Sequence, residues 1–474
     1  MNILYKTLGK PALAALLLTT TVSCKKSFLE IDPKGIIIAQ KTSDYDLLLN
    51  NTDLVIANAG NHTLMGDELA SVEPRWTGAG FAEKKLFQWQ TDIYNPGDDA
   101  AETLAPSKHL YVYNKIISEV MSSTEGREDT KKALRAEALA GRAWVNFLWV
   151  NYFGRPYNAA TAATDPAFTL INEADVNNGP YTHVSVQAMY NQIIADLTAA
   201  IPDMASAGVY HRIRMSKTAA QGLLAKVYIF MGRFDEALPL LNESISNLAL
   251  STPGTSSGTS LLDYNTAFPA SAPVAPYDQE NVYAKQYSNL WTYSGNRGFW
   301  LSPATMALYG PADQRRKWFG DSTTMTNGVK LFKRNKQLST FYGLRVPELY
   351  LLRAEVKARK EDYSGAVADL VTLRQKRMPV ADANVPAASA AAKMPLLQFI
   401  MEERIREFSM QGYRWFDMRR LSVDPLFTGM PAYQHLVYDE AGAVKQTFTL
   451  QAPDNFVFKI SPKLLGENPG LAPL

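Results

Sequence analysis

The amino-acid sequence predicts a mostly α-helical fold, in which helical pairs of tetratricopeptide type form a scaffold that carries long loop insertions. Helical periodicity runs through residues 131–154, and residues 216–241 and 345–370 resemble each other as helix–turn–helix units. Between these units, residues 250–340 are rich in loop-forming residues. The 474 residues are 46% hydrophobic and 11% aromatic, which is enough apolar material for a large core.

Residues 1–23 are predicted to be an export signal peptide. Lys6 and Lys10 give a positive start, and residues 12–18 give an apolar middle. Small residues over 21–23 lead to a cleavage point. A bilayer-spanning helix needs about 20 apolar residues, and neither this run nor any later stretch is long enough. We therefore expect an exported mature chain without a membrane helix.

Cys24 is the only cysteine and directly follows this leader. One cysteine cannot form an internal disulfide, so it is either a reactive thiol or a modified residue. Its position favours a thioether-linked diacylglycerol and an N-terminal palmitate, which together would anchor a bacterial lipoprotein stably. Thr21 replaces the leucine usual at that position, and a secretory leader with an incidental cysteine is the alternative. Residues 24–40 are expected to form a flexible tether, because Pro33 and Gly35 oppose a continuous helix.

The charge balance argues against a nucleic-acid-binding protein. The whole chain has 48 basic and 46 acidic residues, and two of the lysines lie in the leader. The mature chain therefore has a formal charge of zero, whereas a nucleic-acid-binding surface would show a basic excess.

Residues 41–250 are predicted to be the N-terminal helical part of a single domain. A short helix is expected from Ser43, an irregular stretch over 61–106, and helical structure from about residue 107. The helix over 131–154 is apolar on nearly all sides in its C-terminal half, so we expect that half to be buried. Further helices are predicted over residues 185–203, 216–231 and 234–248.

The two helix–turn–helix units share small and aromatic positions. When Ala225 is aligned with Ala354, two more pairs match: Phe234 with Tyr363, and Ala237 with Ala366. In tetratricopeptide units, alanines let two antiparallel helices approach closely and an aromatic ring fills the gap. The sequence thus favours a solenoid-like scaffold, with a generic helical hairpin as the alternative.

Residues 251–474 are predicted to be a loop-rich insertion and the C-terminal helical part of the same domain. The stretch up to residue 340 has aromatic residues scattered among Gly, Ser and Asn. A helical stretch is expected over 394–421, and the proline-containing residues 458–470 close the chain.

Catalytic signatures are weak, so we expect a protein that is not an enzyme and has no metal or other cofactor. Residues 254–258 satisfy the G-x-S-x-G pattern around Ser256, but that chemistry needs a strand before the serine and a helix after it. Here the pattern lies in a low-complexity run, and a surface serine hydrolase stays an unfavoured alternative. The five histidines are scattered without a zinc-binding pattern. Asp98, Asp99 and Glu102 could hold calcium but lack the EF-hand spacing.

Several stretches in order along the chain resemble the SusD/RagB family of outer-membrane lipoproteins. They are SFLEIDPKG (27–35), MGDELA (65–70), LRAEALAGRAWVNFLWVNYFGRPY (134–157), SKTAAQGLLAKVYIFMGRFDEAL (216–238), RVPELYLLRAEVKAR (345–359), EERIREFSMQGYRWFDMRR (402–420) and ISPKLLGENPG (460–470). The order and spacing make the combination specific, and it covers nearly the whole mature chain.

This resemblance implies a SusD-like fold and a role in nutrient uptake. Members of the family are surface-exposed, lipid-anchored subunits that sit over a SusC-like, TonB-dependent barrel transporter of the outer membrane. The resemblance implies capture of an oligosaccharide for import, with capture of oligopeptides as the alternative within the family. A purely structural partner subunit of the transporter is a further alternative.

Carbohydrate binding requires flat aromatic rings for the C–H face of a sugar and polar groups for its hydroxyls. Trp144, Trp149 and Trp415 lie in predicted helices and are expected to be core residues. The predicted ligand-binding residues lie in segments expected to be irregular: Trp291, Tyr293, Asn296, Arg297 and Trp300 in WTYSGNRGFW, and Trp89, Trp76 and Asp67 near the acidic motif. The motif residues Glu403, Arg404, Arg414, Trp415 and Asp417 are expected to hold helices together.

Overall fold

Helices make up most of the protein, as the sequence predicts. The structure is a computed structural model that describes residues 39–57, 60–175, 179–251, 258–269, 278–288, 298–334 and 339–471. Among these residues, no helix is both long and apolar enough to cross a membrane. In chain order the helices are α1 (Thr42–Leu49), α2 (Phe81–Phe87), α3 (Ala101–Glu119), α4 (Glu128–Phe153), α5 (Val186–Ala200), α6 (Lys217–Phe230), α7 (Phe234–Asn247), α8 (Pro303–Ala307), α9 (Val346–Arg359), α10 (Tyr363–Arg374), α11 (Ala387–Ala390), α12 (Lys393–Phe408), α13 (Tyr413–Leu421) and α14 (Pro462–Glu467).

The long helix α4 is the centre of the N-terminal part, where it packs against α3 and α5. Every residue from 138 to 153 is buried, which confirms the expectation for its C-terminal half. Gly141 lets α3 approach closely, because a Cβ at this position would lie 2.4 Å from the ring of Tyr113. Any larger residue would push the two helices apart.

The helix α3 begins at Ala101, earlier than the predicted start at about residue 107. Pro106 lies inside it and has no N–H to donate to the carbonyl of Glu102 one turn before. The indole N–H of Trp149 donates to that carbonyl at 2.9 Å, so the acceptor that proline leaves free is satisfied by another helix. A local sequence pattern cannot reveal this tertiary compensation, which is why the prediction placed the start too late.

The two predicted helical hairpins are present. Helices α6 and α7 form one pair, α9 and α10 form the other, and α7 packs against α9. Phe234 and Tyr363 begin the second helix of their pairs and are partly buried. The four aligned alanines are completely buried: Ala225, Ala237, Ala354 and Ala366. The close approach that the small residues predict is therefore confirmed.

A β-sheet was not predicted, and the expectation that residues 61–106 and 250–340 are irregular is wrong. These stretches supply strands to a six-stranded sheet of order β10-β9-β1-β4-β6-β5 and to two ribbons, β2–β8 and β3–β7. In the sheet, β1 pairs with β4 antiparallel and with β9 parallel. The strands are β1 (Leu69–Val72), β2 (Asn281–Tyr283), β3 (Gln286–Ser288), β4 (Phe299–Leu301), β5 (Phe319–Thr324), β6 (Lys330–Arg334), β7 (Ser339–Phe341), β8 (Leu344–Arg345), β9 (Gln434–Tyr438) and β10 (Val444–Thr449).

The sequence did not predict the strands because they are short and their partners lie far away in the sequence. All four residues of β1 and all three of β4 are buried, so neither strand shows the alternation of apolar and polar residues that marks a strand. Residue 70 pairs with residue 300 and with residue 436, and no local pattern encodes such contacts.

Buried ion pairs fix the C-terminal helices, as expected for this motif. Glu403 on α12 accepts hydrogen bonds from Arg315 and Arg374, each at 2.7 Å. Arg404 donates to Asp417 on α13 at 2.7 Å, which joins the two helices directly. These side chains are almost completely buried, and the described residues contain no group of three or more potential metal ligands.

Candidate functional site

Several predicted site residues lie outside the residues that the structure describes. They are the lipidation residue Cys24, the serine of the G-x-S-x-G pattern Ser256, and the ligand residues Trp291, Tyr293, Asn296 and Arg297. Their predicted roles stay predictions. Trp76, Trp89, Trp300 and Asp67 belong to the described part, and each of them has a clear structural environment.

Trp89 is a core residue. Its ring stacks on His435 with the ring centroids 3.9 Å apart, and Phe87 also stacks on this histidine, at 4.1 Å. The indole N–H donates to the carbonyl of Met65 at 2.8 Å. Burial lowers the pKa of His435, whose ring is hydrogen-bonded to the carbonyls of Phe87 and Gly66. With no exposed face, Trp89 cannot stack on a sugar in this conformation, which corrects the expectation for this residue.

Trp76 and Trp300 are also buried. Trp76 packs among the rings of Phe87, Phe448 and Phe299, with centroids 5.3 to 6.4 Å away. Trp300 is the middle residue of β4, lies opposite Ala70 of β1, and is 3% exposed. The prediction that these two rings contact the ligand directly is therefore corrected as well.

Asp67 forms a structural ion pair. Its carboxylate accepts two hydrogen bonds from Arg414 on α13, at 2.6 and 2.9 Å, in a bidentate geometry. The pair joins the start of β1 to the C-terminal helices. Arg414 thereby fulfils the structural role expected for it, and Asp67 shares that role.

A groove of about 720 Å³ opens beside the sheet and is the strongest candidate for the binding site. Val72 at the end of β1 and Met325 directly after β5 line it. Both pack with Trp300 in one small apolar cluster, so this tryptophan supports the groove from beneath. Tyr438 of β9 lies opposite Val72 in the parallel pairing and packs on the same cluster, partly exposed.

The polar side chains that line the groove are largely exposed to solvent. Within the described part of the chain, the side chains of Arg75, Glu440, Thr323 and Thr324 form neither hydrogen bonds nor ion pairs. Glu73, in contrast, pairs with Lys445. One guanidinium and one carboxylate remain unpaired, so the groove is close to neutral overall. Free donors and acceptors over an apolar floor suit a ligand rich in hydroxyl groups.

Gly298, the first described residue after the predicted ligand residues 291–297, lies beside the groove residue Arg75. Its carbonyl accepts a hydrogen bond from the Ser71 hydroxyl at 2.5 Å. Gly298 has a φ of 83°, and a Cβ there would lie 2.9 Å from the Cβ of Arg75. The position therefore requires glycine, and the residue before β4 lies next to Arg75.

The sequence did not identify the groove residues themselves. The groove is assembled from residues 72–75, residues 323–326 and the turn between β9 and β10, which lie up to several hundred positions apart. Thr326 shows how they meet, because its backbone N–H and its hydroxyl both donate to the carbonyl of Glu440. The residues predicted from the sequence lie in two other places, the segment 291–300 and the stretch around the early acidic motif at 65–70.

Two family models match the chain. One is described as "Starch-binding associating with outer membrane" and matches residues 28–229. The other is the SusD family model, which matches residues 332–463. The two matches do not overlap, and together they span both helical parts. No curated protein sequence matches the chain.

Solved structures share the fold at low sequence identity. A SusD superfamily protein from Bacteroides thetaiotaomicron VPI-5482 superposes with a TM-score of 0.71 at 16% identity, covering 91% of this chain and 99% of that one. A SusD superfamily protein from Bacteroides vulgatus ATCC 8482 gives 0.67 at 19% identity, covering 92% and 98%. A SusD-like carbohydrate-binding protein from the same organism gives 0.63 at 16% identity, covering 91% and 97%. At these identities the likeness concerns the fold.

Proposed function

Because the chain belongs to the SusD/RagB family, we propose that it captures a nutrient, most simply an oligosaccharide, and delivers it to a SusC-like TonB-dependent transporter of the outer membrane. It acts as a binding protein and not as an enzyme. The family models support an outer-membrane setting, and a solved relative of the same fold is described as carbohydrate-binding.

The observation that carries the proposal is the set of free polar side chains around the groove. Sugar hydroxyls both donate and accept hydrogen bonds, so they can pair with the guanidinium of Arg75, the carboxylate of Glu440 and the threonine hydroxyls at once. The volume of about 720 Å³ is ample for several sugar rings. Because the unpaired charges of the groove balance, a neutral oligosaccharide fits it better than a polyuronate.

Arg75→Ala and Glu440→Ala are each expected to weaken oligosaccharide binding by about tenfold or more, because a hydrogen bond to a charged group contributes about 1.5–3 kcal/mol. Isothermal titration calorimetry with a panel of neutral oligosaccharides identifies a ligand for the wild type and then measures the variants. Arg127→Ala is the matched control, because Arg127 is 82% exposed, pairs only with Asp129 among the described residues and does not line the groove. It should bind like the wild type.

The outcomes separate the alternatives. Saturable binding that both groove variants weaken supports oligosaccharide capture through this groove. If the protein binds oligopeptides but no sugar in the panel, its ligand is an oligopeptide and not an oligosaccharide. If the variants bind a sugar as tightly as the wild type, the groove is not the site.

Cys24→Ala is expected to release the mature protein from membranes, because it removes the residue that would carry the lipid. Fractionation of cells grown with a clickable palmitate analogue reports both the attachment and the label. Lys25→Ala, one residue further on, should keep both and serves as control. If the Cys24→Ala protein still sediments with membranes and carries the label, the anchor is elsewhere.

A further inference from the structure

A second concave site is formed by residues other than those of the groove. It is a cavity of about 370 Å³ between the first two turns of α3 and the C-terminal helix α14. Phe168, Thr169, Ile171 and Tyr181 line the third side, Leu471 also lines the cavity, and the cavity is partly open to solvent. None of the groove residues lines it, so the proposed sugar site leaves this cavity unexplained.

The walls of the cavity are mainly apolar. Leu104, Phe168, Ile171, Tyr181, Leu464 and Leu471 supply them. Leu104 on α3 is 50% exposed, so its side chain borders open space. An engineered apolar cavity of about 150 Å³ is large enough to bind benzene. A cavity of about 370 Å³ therefore has room for a two- or three-ring molecule or a short alkyl chain.

The hydroxyl of Thr169 in the cavity wall has no hydrogen-bond partner among the described residues. Thr169 is 4% exposed and lines the cavity. The hydroxyl is thus available to a ligand that carries one hydrogen-bonding group.

The rim of the cavity is neutral overall. It carries two acidic and two basic side chains: Asp99, Glu467, Lys108 and Lys463. Asp99 and Lys463 form an ion pair with each other. A charged ligand would therefore gain little from the rim, whereas a neutral one enters without an electrostatic penalty.

We propose that this cavity is a second binding site, which takes a neutral and mainly apolar small molecule with one hydrogen-bonding group, such as an aryl amine, a phenol or a short alkyl alcohol. The apolar walls bury the body of the ligand and Thr169 orients its polar group. The site acts independently of the groove.

N-phenyl-1-naphthylamine is a suitable probe, because it is neutral, aromatic and carries one N–H. Its fluorescence should rise on binding and saturate at one molecule per chain. Ser107→Trp should fill the cavity from α3 and weaken binding at least about tenfold. Ser118→Trp on the same helix is the control: both serine hydroxyls donate to the carbonyl four residues earlier, but Ser118 does not line the cavity.

Two further comparisons keep the test independent of the folding of one variant. Leu104→Ser should also weaken probe binding. Tyr111→Ser should not, because it removes a similarly exposed side chain of α3 that lies outside the cavity. Thr169→Val should weaken probe binding about fivefold by removing one hydrogen bond, and Arg75→Ala should leave probe binding unchanged. The proposal is overturned if the wild type shows no saturable binding of the probe. It is also overturned if Ser107→Trp and Leu104→Ser both bind the probe as tightly as the wild type. Unchanged binding by Thr169→Val overturns the role of the hydroxyl.

Discussion

Replacing Glu403 by alanine is expected to lower the free energy of unfolding by about 3–5 kcal/mol, because removing one partner of a buried ion pair leaves uncompensated charge. The carboxylate of Glu403 is completely buried and accepts hydrogen bonds from three guanidinium groups, those of Arg315, Arg374 and Arg406, at 2.7 to 2.9 Å. Within the described residues, Arg374 has no other carboxylate partner and would keep only backbone carbonyls.

The pH dependence of this effect follows from the pKa of Glu403. Burial alone would raise that pKa, but the charges of Arg315, Arg406 and Arg374 outweigh burial and hold the pKa far below its usual value of 4.5. A depressed folded-state pKa gives a stabilisation that is complete above the unfolded-state value and is lost as the pH falls towards the folded-state value. The difference between wild type and Glu403→Ala should therefore be constant above about pH 6 and shrink in acid.

Urea unfolding followed by circular dichroism measures the difference, and Glu402→Ala is the control. Glu402 precedes Glu403 on the same helix, but its side chain is 46% exposed and its contact with Arg406 is 3.6 Å long. An exposed ion pair of this kind contributes about 0–1 kcal/mol. Equal effects of the two substitutions would show that the buried cluster does not carry the stability assigned to it.

The helical scaffold could be predicted from the sequence because its signals are local. The periodicity over 131–154 and the paired alanines of the two hairpins are read within one or two helices, and both are present in the structure. The six-stranded sheet could not be predicted, since its strands have three to six residues each and β1 pairs with partners more than two hundred positions away. Short buried strands carry no periodicity that distinguishes them from loops.

The same reason explains the mixed result at the candidate site. Trp76, Trp89 and Trp300 looked available because their segments looked irregular, and once these segments form or flank a sheet the rings become its core. Arg75 and Glu440 could not be found as a pair, because only the fold brings residues 72–75 and the turn after β9 to one groove. None of the predicted ligand residues in the described part of the chain lines the groove, so its side chains were not identified from the sequence.

Replacing Glu68 by glutamine is expected to stabilise the protein at neutral and alkaline pH. Glu68 lies in the early acidic motif and is 1% exposed. Its Oε1 accepts a hydrogen bond from the backbone N–H of Met410 at 3.2 Å, whereas Oε2 has no hydrogen-bond partner among the described residues. Burial, and next the charge of Asp67, raise the pKa of Glu68 to about 7, and Arg414 offsets only part of this because it pairs with Asp67.

A carboxyl group whose pKa is raised on folding destabilises the protein once it must ionise. Below pH 4.5 the group is protonated in both states, and stability is then lost as the pH rises from 4.5 through 7. Above pH 8, where Glu68 is ionised in both states, the free energy of unfolding has fallen by about 3 kcal/mol from its value in acid through this group. Glutamine keeps the acceptor for Met410 without the charge, so Glu68→Gln should be close to the wild type at pH 4 and about 1–3 kcal/mol more stable at pH 8.

Neutralising the neighbouring carboxylate, that of Asp67, should change the stability in the opposite direction, so Asp67→Asn is the control. Asp67→Asn leaves Arg414 without its bidentate partner, so it should lower stability at pH 8 instead of raising it. Guanidinium chloride unfolding of the three proteins at pH 4, 6 and 8 separates the cases. If Glu68→Gln is less stable than the wild type at pH 8, the Glu68 carboxylate is stabilised by its surroundings and its pKa is not raised. If the gain grows with pH while Asp67→Asn loses stability, the two adjacent acids have opposite roles, one fixing α13 to the sheet and the other opposing the fold as it ionises.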